Sequence, residues 1–207
     1  MLMKVHGVRV NRAPVLTLWA AIVAERLGFD REEALTLGRV VAGLDAYSKG
    51  KALGLFTPRP KTVRQMRDRL ETGGTLRVDL LGRAVPAIQT PEGIRALSNG
   101  KPVSPEAVER YLESKFGETL PAVEKAMRAL ARAFPPAELA RRAYELYESF
   151  RPSVPEGLRG WGAAGTLDLD KIEAMARAAR NARSRVMAAN HRRRARFSRG
   201  SEVPVPG

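Results

Sequence analysis

The sequence predicts a mainly α protein with one small β-hairpin, its C-terminal half folding as a helical bundle. Three observations carry that prediction. Apolar residues recur every three or four positions through most of the chain; capping and stop signals bracket those runs; strict alternation is confined to a short stretch near residue 76. With 207 residues, 44% hydrophobic and 28% charged, the chain is long enough for one large or two small domains with a real core.

The elements follow in order. Residues 3–10 alternate loosely, as a short strand does. Pro14 sits where the first turn of a helix tolerates it, and Val15, Leu18, Trp19, Ile22, Val23 and Leu27 repeat at helical spacing up to Gly28. The run 13–24 superficially resembles a signal peptide. It is too short to cross a bilayer and passes directly into Glu25-Arg26, so it reads as a helix of a cytoplasmic protein. Asp30 and Glu33 form a capping-box pattern before Leu37, Val41 and Leu44. Gly50, Gly54, Pro58 and Pro60 interrupt residues 45–60, leaving room for a short helix over 46–55. Thr62 and Gln65 start a helix carrying Val63, Met66 and Leu70, which Gly73-Gly74 stops. Leu76, Val78 and Leu80 alternate with Arg77 and Asp79. Gly82-Arg83 then forms a tight turn into a strand over 84–89, which Pro86 confines to an edge.

Residues 90–103 are turn-rich and separate an N-terminal region (1–90) from the bundle (104–190). Ser104-Pro105-Glu106 starts a helix that ends near Gly117. Thr119-Leu120-Pro121 starts the next, with Leu120, Val123, Met127, Leu130 and Phe134 in one stripe. After Pro135-Pro136, a third helix turns Leu139, Ala143, Leu146, Tyr147 and Phe150 inward. A Pro/Gly-rich loop covers 151–166. The last helix begins at Asp168 or Asp170 and runs to about 190, followed by a flexible basic tail over 191–207.

The order helix, helix, helix, hairpin over 13–89 carries a further signal. Residues 61–78 read KTVRQMRDRLETGGTLRV and follow Lys51-Ala52-Leu53-Gly54-Leu55. This segment resembles the recognition helix and first wing strand of winged helix-turn-helix DNA-binding domains of the MarR-like type. The connection from Gly54 to Thr62 is longer than in that family and contains Pro58 and Pro60. The resemblance implies DNA binding, with the bundle supplying a homodimer for half-site recognition. If Val63, Met66 and Leu70 face the core, Lys61, Arg64 and Gln65 point outward, as does Asp68. The first three are residue types that contact phosphates and base edges in a major groove. Arg77 and Arg83 stand on the wing.

Charge supplies an independent argument. The formal net charge is +14, from 36 Lys+Arg against 22 Asp+Glu. Nine of those charges come from the acid-free stretch 174–201, which contains Arg177, Arg180, Arg183, Arg185, Arg192, Arg193, Arg194, Arg196 and Arg199. With Ile172, Met175, Ala179 and Val186 inward, Arg177, Arg180 and Arg185 face outward. Such an arm neutralises phosphates without reading sequence, and DNA and RNA suit it equally. An acidic protein partner also fits the electrostatics, whereas the Ala-rich apolar face is too small for membrane insertion. A GC-rich genome produces a similar Arg, Ala, Gly, Leu and Pro bias without selection for binding.

Other chemistry finds little support. The chain has no cysteine and two histidines, His6 and His191, near opposite ends. That weighs against thiolate sites, His-rich metal sites and a Ser-His-Asp triad, and the sequence leans away from an enzyme. Gly160-Trp161-Gly162-Ala163-Ala164-Gly165 matches a dinucleotide fingerprint by letter, but a turn-rich loop precedes it where a strand is required. No cofactor or metal is expected. Arg159 and Trp161 in that loop are candidate partner contacts, and the competing functional class is a non-enzymatic protein-interaction module.

Overall fold

The structure, a computed structural model, describes residues 7–52, 75–154 and 163–198. It is mainly helical with a small antiparallel sheet. The predicted 62–71 helix lies outside the described residues, together with Lys61, Arg64 and Gln65. So do Arg159, Trp161 and the tail beyond Ser198.

Helix α1 (Arg12–Arg26) forms the centre. Every residue from Pro14 to Ala24 is buried, because this run is apolar on all sides and carries no charge. The sequence pattern predicts one buried stripe; the helix is instead covered all round. Trp19 is fully buried, its ring edge-on to Phe150 at 5.3 Å between centroids and its indole N–H donating to the Ala143 carbonyl at 2.8 Å. The stop at Gly28 is observed, with φ +108.

Helix α2 (Arg31–Ala52) packs directly on α1. The capping box is made as the sequence predicts: the Glu33 N–H donates to Asp30 Oδ1 at 2.8 Å, and the Asp30 N–H to Glu33 Oε2 at 3.2 Å. The helices approach to backbone contact at Gly38, where a Cβ would lie 2.4 Å from the Thr17 carbonyl oxygen. The expected break after residue 45 does not occur, and α2 continues to Ala52. Tertiary contacts hold that turn. Lys49 reaches Glu148 of a later helix at 3.1 Å as well as Asp45 one turn back at 3.4 Å, and the buried Asp45 is bonded to the sheet and to that helix.

The sheet is a four-stranded antiparallel meander, β2 (Thr75–Leu80), β3 (Arg83–Thr90), β4 (Gly93–Ser98) and β5 (Lys101–Pro102). Its first turn is Leu81-Gly82 rather than Gly82-Arg83. Both residues have positive φ (50 and 69), the type I′ geometry that matches strand twist. Arg83 therefore opens β3, opposite Leu80. Pro86 stands in an internal strand, which corrects the edge-strand expectation. Its missing N–H is tolerated because the β3–β4 ladder begins at Ala87, one residue beyond it.

The expected loop over 90–103 is β4 and β5, turned by Asn99-Gly100 with φ 53 and 80. Side chains of α2 satisfy the far edge of β4. The Ile94 N–H donates to Glu33 Oε1 at 2.7 Å and the Ala96 N–H to Thr36 Oγ1 at 3.1 Å.

Helices α3 (Pro105–Phe116), α4 (Leu120–Arg132) and α5 (Pro136–Phe150) start and stop close to the sequence signals. The Ser104 hydroxyl caps α3 by accepting from the Ala107 N–H at 3.1 Å. Of the predicted stripes, Val123, Met127, Leu130 and Phe134, then Leu139, Ala143, Leu146, Tyr147 and Phe150, are buried, and Leu120 is half-buried. One apolar cluster joins α1, α2 and the sheet to these helices, so the core runs across the 90–103 segment.

Strand β1 (Gly7–Val10) pairs antiparallel with β6 (Gly165–Asp168), an element that the sequence pattern does not predict. At Gly165 a Cβ would fall 2.5 Å from the Ser153 carbonyl oxygen, which bonds the neighbouring Thr166 N–H.

Candidate polyanion interface

Helix α6 (Leu169–Ser198) follows β6 without a break. Asp168 caps it as predicted, its carboxylate accepting from the Lys171 N–H at 3.0 Å. Leu169, Ile172 and Ala176 are buried, and Met175 and Ala179 half-buried, as the helix packs on α4. From Arg180 to Arg185 every residue is exposed. Six consecutive residues exceed one full turn, so the helix buries no face there as it leaves the body. It continues to Ser198, past the expected end near residue 190. Arg192, Arg193, Arg194 and Arg196 lie within this final helical stretch.

Two residue types make this stretch helical. Ala and Arg have high intrinsic helix propensity. Against that, the acid-free run leaves Arg177, Arg180 and Arg183 three apart, a repulsive spacing on a helix. Arg177 is relieved by Glu173 at 3.5 Å, both half-exposed side chains. Arg180, Arg183 and Arg185 have no carboxylate partner among the described residues. Between α4 and α6, Ala126, Ala129 and Ala176 leave a groove of about 140 Å³, also lined by Lys125, Glu173, Arg177 and Arg180. Lys125 is a cation that the charge run does not reveal, because it belongs to α4 and meets α6 only in three dimensions.

The two arginines expected on a wing stand elsewhere. Arg77 is exposed on β2, opposite Pro86. Arg83 points toward a buried acid: its Nη2 donates to Asp45 Oδ1 at 2.7 Å and its Nη1 to Ser48 Oγ at 3.2 Å. Asp45 is fully buried and also accepts from the Tyr144 hydroxyl at 2.9 Å. Burial, the Asp45 hydrogen bond and its negative charge together push the Tyr144 hydroxyl above the ordinary tyrosine range. Burial alone would lower the Lys49 ammonium, but Asp45 and Glu148 outweigh it and hold it above the usual lysine value. Arg83 is thus part of a polar hub joining α2, β3 and α5.

No group of three or more metal-ligating side chains occurs among the described residues. No helix there is long and apolar enough to cross a membrane. Comparison with known proteins finds no match, whether to a family model, a curated protein or a solved structure.

Proposed function

We propose that this protein binds nucleic acid, duplex DNA first, using α6 as a sequence-independent phosphate-neutralising arm. The observation that carries this reading is the uncovered helical stretch from Arg180 to Arg185, whose three arginines lack carboxylate partners among the described residues. A phosphate backbone relieves their mutual repulsion and releases its own counterions, so binding gains from both sides. Lys125 and Arg177 extend the basic surface onto the body. In the same reading Lys61, Arg64 and Gln65 approach the groove and Arg77 stands on the wing, giving a regulatory or nucleoid-associated protein.

A salt titration of duplex binding tests this. Affinity is expected to fall linearly on a log–log plot. Replacing Arg180, Arg183 and Arg185 with Ala lowers the slope by about 0.9 for each phosphate that is no longer neutralised. Absence of binding to duplex and single strand at low salt overturns the proposal. Binding with an unchanged slope in the triple variant removes α6 as the arm.

A further inference from the structure

We infer a second anion site, separate from α6, in the cavity between the Leu81-Gly82 turn and α5, suited to a small phosphate monoester. The cavity measures about 300 Å³ and is lined by Leu81, Gly82, Arg83, Ala140, Arg141 and Tyr144. That volume lies at the lower end for small-ligand sites. Among the described residues that line it, two are arginines and none carries a carboxylate.

Arg83 is oriented in advance. Asp45 and Ser48 each take one of its N–H groups. A guanidinium has five donors, so others stay available after those two bonds. Asp45 also pairs with Lys49 at 3.4 Å, which Glu148 shares at 3.1 Å, and accepts from the Tyr144 hydroxyl, so the acid holds Arg83 in place within a larger ionic hub. Arg141 is exposed at the mouth and makes no ion pair or hydrogen bond among the described residues.

Two guanidiniums around one small cavity match a tetrahedral dianion better than a single carboxylate, since each fork can hold a different oxygen. Leu81, Ala140 and the Tyr144 ring supply an apolar wall for the organic group of a monoester. A free nucleotide and the 5′ end of a strand present the same phosphate chemistry, and the test separates these sources.

The full-length chain is titrated calorimetrically with inorganic phosphate, adenosine 5′-monophosphate, adenosine, and short oligonucleotides with and without a 5′-phosphate. The expected result is saturable monophosphate binding at about millimolar dissociation constant or tighter, with adenosine silent. Arg141→Ala weakens it at least about tenfold, the loss of one charged hydrogen bond. Arg83→Lys, which keeps a cation beside Asp45, also weakens it, whereas the α6 triple substitution leaves it unchanged. In the α6 triple variant, preference for the 5′-phosphorylated oligonucleotide over its unphosphorylated twin assigns the site to strand ends; equal binding of those two, with mononucleotide binding retained, assigns it to free monoesters. No saturable phosphate binding, or binding indifferent to both Arg141→Ala and Arg83→Lys, overturns the inference. Loss of duplex binding with retained monophosphate binding would remove the α6 reading and leave this site standing.

Discussion

Helix α1 and the stretch of α6 from Arg180 to Arg185 both fail to sort their residues into a buried and an exposed face, for opposite reasons. From Pro14 to Ala24 α1 carries only apolar residues and one threonine, and the fold wraps it on every side. The Thr17 hydroxyl bonds back to the Ala13 carbonyl at 2.9 Å, so even that polar group is satisfied without water. Beyond Ala179, α6 is rich in arginine, and every residue from Arg180 to Arg185 is exposed. The two helices divide the labour of the chain: α1 commits its side chains to the core, and α6 holds charge that the core does not use. Substitutions should therefore separate cleanly, stability responding in α1 and association responding in α6.

Trp19 is where that separation should be greatest. Trp19→Ala leaves a cavity against Phe150 and removes the hydrogen bond to Ala143, costing about 3–5 kcal/mol, read as a lower urea midpoint at unchanged m-value. A loss under about 1 kcal/mol would mean that α1 is not the centre of the core.

A middle-sized effect comes from the ionic junction linking α1 to α4. Arg31 reaches Glu109 and Glu124 at 3.1 Å each, and Arg128 bonds both Glu25 and Glu124. Burial pulls the Glu124 carboxyl upward, but the hydrogen bonds from Arg128 and Arg31 win and hold it below the ordinary carboxylate range. A depressed folded-state value contributes stability that is present above the unfolded value and is lost as pH falls through the folded one. Glu124→Gln should flatten the decline in stability between about pH 5 and about pH 3. Parallel acid profiles for the variant and the parent would rule this out. The partly exposed setting keeps the effect modest.

In α6 itself stability should barely respond. Replacing Arg180, Arg183 and Arg185 with Ala should move the urea midpoint by no more than about 0.5 kcal/mol in equivalent stability. A large destabilisation would show that these residues support the body, and the contrast with α1 would fail.

Much of the fold is legible in the sequence because its signals are local. The Asp30–Glu33 box, the Ser104 cap, the Asp168 cap and the stripes of α4 and α5 each depend on neighbours three or four residues apart. The sheet is half legible. Leu76, Val78 and Leu80 alternate clearly, but Gly93–Ser98 shows no alternation because Arg95 is buried there and takes Glu32 as its partner. Its closing turn, Asn99-Gly100, reads as a simple chain break until the flanking strands are seen paired. Strand β6 escapes notice because four residues next to a Pro/Gly-rich loop carry too little pattern; its partner, β1, lies at the other end of the chain.

The arm is visible from the charge run alone. The Arg83 environment is not, since its three principal partners come from α2 and α5: Asp45, Ser48 and Tyr144. Periodicity and composition are short-range properties, and they suffice for the helical class, the caps, the apolar stripes and the acid-free arginine stretch. They do not suffice for four outcomes of the assembled fold: α1 is enclosed on every side, α2 runs through Gly50, Arg83 serves a buried aspartate, and α6 leaves the body after Ala179. Those outcomes depend on which surfaces meet across long stretches of chain, and burial and charge pairing are properties of the meeting surfaces rather than of either one alone.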